Sequence, residues 1–286
     1  MRIAFFGTGK MGFPMAKRLV LAGQEVRVTV HRNPEPAHAL QGMGATLYDA
    51  PETAVRDADC LIAILPGDRQ MEELLLRPSL MDAMAPGAVL VEMSTASPRS
   101  MEAIEAEYGG RGLRVLDAPV SGGVKGAEEG TLTVIAGGAE NALETVRPVL
   151  EVLAAKIVHV GGVGAGKAVK AVNQLIVGSN AVIVSEALRL ARHLGVDLEK
   201  LYHVVSASTG ASPIFASKFM KMAKRDFAPN FTLALMKKDM RIGLGEGGDL
   251  PLPMANLAYQ LYLMLGKACE GEDFSVISTL FEEVGE

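Results

Sequence analysis

The 286-residue sequence predicts a doubly wound α/β domain followed by an all-helical C-terminal domain. Up to about residue 160, short apolar strands alternate with helical segments, which is typical of a mostly parallel sheet covered on both faces. From Lys167 onward the pattern is helical. The two regions meet at the glycine cluster Gly161–Gly166, so we place the domains at residues 1–161 and 162–286.

The individual elements follow from apolar periodicity and from the glycines that close several helices. The predicted strands are Arg2–Phe6, Glu25–Val30, Cys60–Leu65, Ala88–Met93, Leu113–Ala118, Thr131–Ala136 and Lys156–Val160. The predicted helices between them include Met11–Ala22, Ser97–Tyr108 and Ala139–Leu153. The second half predicts helices at about Lys167–Leu194, Asp197–Ser206, Pro213–Met222, Phe231–Gly243, Pro253–Ala268 and Ser275–Glu282.

Composition narrows the class of protein. With 49% hydrophobic residues, 21% charged residues and a net charge of −5, the chain is expected to be globular and not a nucleic-acid binder. Its two cysteines and five scattered histidines give neither a disulfide framework nor metal-ligand spacing, so we expect no metal. The apolar N-terminus is too short for a signal peptide, and Leu175–Val184 is too short and too polar to span a bilayer, so we expect a cytoplasmic protein.

A glycine-rich motif, GxGxxG, follows the first predicted strand and opens a helix. It reads Gly7-Thr8-Gly9-Lys10-Met11-Gly12. In this context the glycines allow a tight turn, a close approach of the backbone to a pyrophosphate, and close packing of helix on strand. A tight turn without a ligand is the alternative. The motif predicts a Rossmann-type dinucleotide site.

The end of the second strand is expected to select the dinucleotide. NAD enzymes usually have a carboxylate there for the ribose, but this chain has His31-Arg32-Asn33. An arginine can pair with a 2′-phosphate, so we expect NADP, with NAD possible. The alternative for Arg32 is a solvated surface position.

Two later strand ends are candidates for ribose and nicotinamide contacts, because ligands bind outside the carboxyl ends of the strands in such sheets. They are Leu65-Pro66 and Ser94-Thr95. Ser94-Thr95 also has a structural interpretation, as a helix cap before Ser97-Pro98.

Two segments carry groups suited to catalysis. Ser121-Gly122-Gly123 offers a hydroxyl and backbone N–H groups suited to a substrate carboxylate, although a plain glycine turn has the same composition. Lys170, Asn173 and Gln174 share one helix face, and a buried lysine can act as an acid or base near neutral pH. Periodicity alone does not separate Lys170 from Lys167, one turn earlier.

These motifs together resemble the β-hydroxyacid dehydrogenase family, which includes 3-hydroxyisobutyrate dehydrogenase, tartronate semialdehyde reductase and related L-serine dehydrogenases. The resemblance covers the whole chain. The matching segments, in chain order, are Gly7–Gly12 with Met15-Ala16, Asp117–Gly123, Gly164–Asn173 and Lys237-Lys238-Asp239-Met240.

The resemblance implies specific roles. The family pattern GxGxxxKxxNN selects Lys170 as the catalytic residue with Asn173 beside it, and Ser121–Gly123 as the substrate-carboxylate loop. It implies cofactor contacts at Leu65-Pro66, Thr95 and Lys238, with Asp239 near the substrate. Gln174 departs from the family's second asparagine, which leaves the substrate open.

The expected reaction is hydride transfer between C3 of a small 3-hydroxy acid and NADP. The competing interpretations are a non-catalytic dinucleotide-binding module and an imine reductase, both disfavoured by a lysine at position 170, and a sugar-phosphate dehydrogenase, which needs a longer helical half. The apolar circumference of Lys167–Leu194 also predicts a homodimer or homotetramer, with packing inside the domain as the alternative.

Overall fold

A computed structural model describes residues 1–282 of the chain. The described chain forms two compact units, residues 1–170 and 171–282. The division falls within one long helix, Ala165–His193, which begins just after the glycine cluster.

The N-terminal unit contains a nine-stranded sheet. Its strands are β1 (Arg2–Phe6), β2 (Glu25–Thr29), β3 (Thr46–Tyr48), β4 (Cys60–Ala63), β5 (Val89–Glu92), β6 (Arg114–Asp117), β7 (Val120–Ser121), β8 (Leu132–Gly138) and β9 (Ala154–Gly161). The strand order is β3-β2-β1-β4-β5-β6-β8-β7, and β9 pairs with β8. Strands β1 to β6 are all parallel. Their order runs outward in one direction from β1 to β3 and in the other from β4 to β6, which is the order typical of dinucleotide-binding sheets.

Helices cover both faces of this sheet. They are α1 (Gly12–Leu21), α2 (Glu35–Gly42), α3 (Pro51–Val55), α4 (Asp68–Leu75), α5 (Pro78–Ala83), α6 (Pro98–Gly109), α7 (Gly123–Glu129) and α8 (Glu140–Leu153). Two separate apolar cores result. One contains Met15 of α1 and Leu150 of α8, and the other contains Leu80 of α5 and Met101 of α6. The doubly wound α/β prediction is therefore confirmed.

Each predicted strand coincides with an observed one, but two observed strands were not predicted. β3 has three residues and β7 has two, so neither is long enough to carry a period-two pattern. β8 is antiparallel to β6 and β7, which makes the sheet mixed at this edge.

The C-terminal unit is helical, and its described residues, 171–282, contain no β-strand. It holds most of α9 (Ala165–His193), followed by α10 (Leu198–Ser206), α11 (Pro213–Ala223), α12 (Leu233–Gly247), α13 (Pro253–Met264) and two 3-10 segments, Lys267–Cys269 and Phe274–Phe281. The helical stretch predicted at about Ser275–Glu282 coincides with the second 3-10 segment, Phe274–Phe281. Asp273 is the N-cap of this segment, and its side chain accepts the backbone N–H of Ser275 at 3.1 Å.

α9 supplies the centre of the C-terminal core. Ala181, Val184 and Leu188 are buried in one cluster with Phe219 of α11 and Met240 of α12. By length and composition alone α9 also qualifies as a membrane-spanning helix, a test that core helices of soluble proteins pass as well.

Candidate active site

Close packing dictates the first and last glycines of the Gly7–Gly12 loop. Gly7 has a φ of +97°, and a Cβ there would lie 2.0 Å from the Ile64 carbonyl oxygen. A Cβ on Gly12 would lie 1.8 Å from the carbonyl oxygen of Gly7. Neither position can take a side chain, so the turn and the contact between α1 and β1 both depend on glycine.

The middle glycine is different, because a Cβ on Gly9 would meet nothing within 4 Å. Gly9 is exposed, and no side chain caps the N-terminus of α1, whose first turn carries no acidic residue. An open backbone at an uncapped helix N-terminus is the chemistry that a pyrophosphate requires. The loop therefore fits a dinucleotide, and Thr8, Gly9, Lys10 and Met11 are the residues that would hold its pyrophosphate.

A cavity of about 400 Å³ lies beside this loop. Its lining residues come from the loop, α1, the end of β2, α2 and α7: Thr8, Gly9, Lys10, Phe13, Pro14, Lys17, Asn33, Pro36 and Glu128. Of these, Phe13, Pro14, Lys17, Pro36 and Glu128 carry no sequence signal for ligand binding. His31 and Arg32 are exposed next to Asn33, and the Asn33 side chain accepts the backbone N–H of Glu35 at 3.1 Å.

The ends of β4 and β5 are joined by Ser94. The backbone N–H of Leu65 donates to the Ser94 hydroxyl at 2.7 Å, and the same hydroxyl donates to the Glu92 carboxylate. Ser94 is buried, whereas Thr95 is half-buried and Pro66 is exposed. The helix-cap interpretation of Ser94-Thr95 is wrong, since the N-cap of α6 is Ser97, whose hydroxyl accepts the N–H of Ser100.

Lys167 points into the protein and has no exposed surface. Its ammonium donates to the Glu92 carbonyl at 3.1 Å, to the Ser94 carbonyl at 2.7 Å and to the Glu92 carboxylate. An ammonium has three donors, and all three are used. Lys167 is thus committed to internal bonds, which favours Lys170 as the residue that meets a substrate.

Asp117, at the end of β6, holds the start of α9. Its two carboxylate oxygens accept the backbone N–H groups of Gly164 at 3.1 Å and Lys167 at 2.7 Å. Burial raises the pKa of Asp117, and the nearby Lys167 charge and backbone donors oppose part of that rise. A Cβ on Gly137 would lie 2.2 Å, and on Gly166 2.7 Å, from an Asp117 carboxylate oxygen, so both glycines are needed for this approach.

Lys170 lies against the predicted substrate loop. It is 6% exposed, and its Nζ donates to the Val120 carbonyl at 2.9 Å, directly before Ser121. Ser121 is half-buried, and Gly122 and Gly123 are exposed with φ values of +133° and +64°. The N-terminal unit therefore brings the candidate acid/base and the candidate carboxylate loop together.

The remaining candidates lie in the C-terminal unit and bond to one another. The Asn173 amide donates to Gln174 Oε1 at 3.0 Å, and Gln174 Nε2 donates to Asp239 Oδ2 at 2.7 Å. Lys238 Nζ lies 3.0 Å from the other Asp239 oxygen. Gln174 and Asp239 are buried, while Asn173 and Lys238 are half-buried.

Sequence reasoning missed the internal roles of two carboxylates, Glu92 and Asp117. The available signal was an acidic residue closing an apolar strand: Glu92 follows Val89–Val91, and Asp117 follows Val115-Leu116. Because both faces of a parallel sheet are covered, a charged side chain at such a position is buried and needs a partner.

Two protein-family sequence models together cover nearly the whole chain. Residues 2–161 match the NAD-binding domain of 6-phosphogluconate dehydrogenase, and residues 164–281 match a family described as the NAD-binding domain of NADP-dependent 3-hydroxyisobutyrate dehydrogenase.

Individual relatives match over their full length. The chain is 35% identical to 2-(hydroxymethyl)glutarate dehydrogenase of Eubacterium barkeri, covering 99% of this chain and 95% of the relative. It is also 35% identical to the NAD-dependent L-serine dehydrogenase of Pseudomonas aeruginosa, covering 98% of each chain.

Solved structures agree with the sequence matches. The 3-hydroxyisobutyrate dehydrogenase of Mycobacterium tuberculosis with L-serine superposes with a TM-score of 0.91 at 32% identity, covering 98% of this chain and 99% of that one. An imine reductase from Myxococcus stipitatus, at 20% identity, shares the fold alone. From its two matching family models and its full-length relatives, the chain belongs to the β-hydroxyacid dehydrogenase family and is an NAD(P)-dependent oxidoreductase.

Proposed function

We propose that this enzyme transfers hydride between C3 of a small 3-hydroxy acid and NADP, with Lys170 as the general acid/base. One observation carries the proposal. Lys170 is bonded to the Val120 carbonyl beside Ser121–Gly123, whereas the donors of Lys167 are all committed inside the protein. Of the two lysines that the sequence offers, only Lys170 lies against the loop proposed to bind a carboxylate.

In the proposed reaction, substrate binding comes first and proton transfer accompanies hydride transfer. Ser121, Gly122 and Gly123 bind the substrate carboxylate through the serine hydroxyl and backbone N–H groups, which fixes the substrate's position. A bound nicotinamide cofactor supplies the hydride acceptor for oxidation and the hydride donor for reduction. Neutral Lys170 accepts the hydroxyl proton during oxidation and, as an ammonium, returns it to the carbonyl oxygen during reduction. The Val120 carbonyl orients the lysine between these steps.

Asn173 is the proposed partner of Lys170 at the substrate hydroxyl. One N–H of its amide is held by Gln174, and Gln174 is in turn held by Asp239. Gln174 therefore supports Asn173 from behind, and the extra methylene relative to asparagine is what lets it reach Asp239. We assign Gln174 and Asp239 the role of holding the Asn173 side chain in place for the substrate. Lys238, beside Asp239, is the proposed cofactor contact.

The preference for NADP rests on Arg32. Residues 30–34, after β2, offer a guanidinium and no carboxylate for the adenine-side ribose, and in the adjacent cavity the positive charges of Lys10 and Lys17 outnumber the one carboxylate, Glu128. A 2′-phosphate gains from these charges, whereas NAD lacks the group that would use them. Cofactor preference follows from kcat/KM measured with NADP and with NAD.

The substrate is proposed as a 3-hydroxy acid of the 3-hydroxyisobutyrate or L-serine type. Related enzymes are named for 3-hydroxyisobutyrate, L-serine and 2-(hydroxymethyl)glutarate, all of which carry a hydroxymethyl group next to a carboxylated carbon. A panel of these three acids, each compared by kcat/KM, selects among them. Failure of every 3-hydroxy acid together with reduction of a cyclic imine would overturn the proposal.

The test of the catalytic role is Lys170→Met. We expect turnover to fall by about 100-fold to 10,000-fold, the usual contribution of a general acid/base, with little change in cofactor affinity. Lys125→Met is the matched control, since Lys125 is a largely exposed lysine in α7 of the same unit. Near-normal turnover in Lys170→Met would remove the proposed role.

We also propose a homodimer or homotetramer in the cytoplasm. Parts of α9 turn inward, since Val182 and Val184 are buried, but Val172, Ile176, Ile183 and Leu190 are all more than half exposed. A stripe of large apolar side chains along one helix is typical of a protein interface. Gel filtration with light scattering tests this proposal, and a monomer at micromolar concentration would contradict it.

A further inference from the structure

The proposed mechanism leaves one buried ion pair without a role: Lys167 and Glu92. Both side chains are fully buried, and their charges meet inside the N-terminal unit. The Lys167 ammonium also donates to two backbone carbonyls, those of Glu92 and Ser94. The Glu92 carboxylate accepts the Ser94 hydroxyl and the Ser94 backbone N–H as well.

The pair is connected to both strand ends expected to face the nicotinamide half of the cofactor. Glu92 is the last residue of β5, and Ser94 follows it at the start of the loop. The Ser94 hydroxyl accepts the N–H of Leu65, just past the end of β4. One chain of hydrogen bonds therefore runs from Leu65 through Ser94 and Glu92 to Lys167.

The same lysine is fixed at its backbone to a third strand end. Its N–H, together with that of Gly164, is held by the Asp117 carboxylate at the end of β6. The first turn of α9 is thus tied to β5 through the Lys167 side chain and to β6 through its backbone. Lys170 is one turn further along the same helix.

Stability alone does not account for an ion pair at this depth. Removing two charges from water is costly, and well-packed apolar residues of similar volume usually serve a protein's stability as well or better. Directed bonds do something that apolar contacts do not, since they fix the direction and register of the groups they join.

We propose that the Lys167–Glu92 pair is a positioning element. It sets the β4 and β5 loops, where the nicotinamide is expected, in register with the helical turn that carries Lys170. This inference rests on the proposed function, because it assigns the pair a purpose only if Lys170 and the cofactor react with each other. Both side chains are fully buried, so both act through their neighbours.

The test replaces both charges at once, in the double variant Glu92→Met with Lys167→Met. Similar volume without charge should preserve folding, so the Tm should stay within a few degrees of wild type. We expect kcat at saturating substrate and cofactor to fall by about 100-fold, because small displacements of reacting groups have effects of that size. Cofactor affinity, measured by calorimetry without substrate, should weaken, since the Leu65 and Ser94 loops lose their anchor.

The double variant Lys218→Met with Asp273→Leu is the matched control, because it also removes both partners of a buried ion pair. Lys218 forms a buried ion pair with Asp273 in the C-terminal unit, at 2.7 Å. This variant should leave cofactor affinity unchanged, which separates loss of a buried charge pair in general from loss of this one. Should the Glu92–Lys167 double variant fail to fold, Glu92→Gln with Lys167→Gln, which removes both charges and keeps hydrogen-bonding side chains of similar length, is measured in the same way.

The outcomes separate this inference from the proposed function. If Lys170→Met is inactive and the Glu92–Lys167 double variant keeps wild-type kcat and cofactor affinity, the positioning role is overturned and the proposed function stands. If Lys170→Met keeps near-normal turnover, the proposed function falls, whatever the double variant does. Reduced kcat and weakened cofactor binding in the double variant at unchanged Tm support the inference.

Discussion

Gln174→Asn tests how the C-terminal unit uses the residue that departs from the family pattern. Gln174 Nε2 lies 2.7 Å from Asp239 Oδ2, and both side chains are buried. Asparagine is shorter by one carbon–carbon bond, about 1.5 Å, so the gap grows to roughly 4 Å, beyond hydrogen-bond range. A buried carboxylate then loses a charge-assisted bond, and we expect the free energy of unfolding to fall by about 1.5–3 kcal/mol.

The assay is guanidinium denaturation followed by far-ultraviolet circular dichroism. A double-mutant cycle of Gln174→Met and Asp239→Leu should give a coupling energy of about 1.5–3 kcal/mol. Ser185→Ala is the matched control on the same helix, because the buried Ser185 hydroxyl makes a neutral bond to the Ala181 carbonyl at 2.7 Å. It should cost about 1 kcal/mol. Wild-type stability in Gln174→Asn, or zero coupling with Asp239, would refute this account of the pair.

The other predictions concern the glycine loop, the second buried ion pair and the cofactor. Gly9→Ala should change the free energy of unfolding by no more than about 0.5 kcal/mol and weaken cofactor binding at least tenfold. Gly12→Ala should both destabilise the fold and weaken cofactor binding, and thermal melts and calorimetry measure the two effects. Lys218→Met should cost about 3–5 kcal/mol by denaturation, because it leaves a buried carboxylate unpaired. Burial raises the pKa of Asp273, but Lys218 and the Ser275 and Phe231 donors outweigh it and lower the pKa overall. The stability from ionised Asp273 is therefore present above about pH 4 and is lost as the pH falls through the lowered pKa, so the cost of Asp273→Asn should shrink in acid. Arg32→Ala should lower kcat/KM with NADP by about 10–100-fold and leave NAD nearly unchanged; equal losses with both would contradict its role.

Elements with a strong period were predictable from the sequence. The first strand, the glycine loop and α1 form a local unit that has no room for a side chain at positions 7 and 12. The glycines of the motif were therefore enough to predict this turn. β7 was not predictable, because its two residues pair with β8 only after the chain has folded. The Phe274–Phe281 segment has helical apolarity, which predicts a helix but does not distinguish the 3-10 form from the α form.

The choice between Lys167 and Lys170 shows where periodicity stops. Both lysines lie on one helix, three residues apart, and nothing local to the helix distinguishes them. The distinction comes from Glu92, which is 75 residues away in sequence and reaches Lys167 only through the sheet. Long-range charge pairing of this kind leaves only a weak trace in a single sequence, an acidic residue at the end of an apolar strand.

Hydride transfer from a substrate deuterated at C3, measured in a single turnover by appearance of the reduced nicotinamide, tests the central claim most directly. With wild-type enzyme, NADP and a 3-hydroxy acid, we predict a primary deuterium isotope effect. In Lys170→Met we predict a hydride-transfer rate lower by about 100-fold or more, at unchanged cofactor affinity. No hydride transfer from C3 in the wild type, or a wild-type rate in Lys170→Met, would contradict the account.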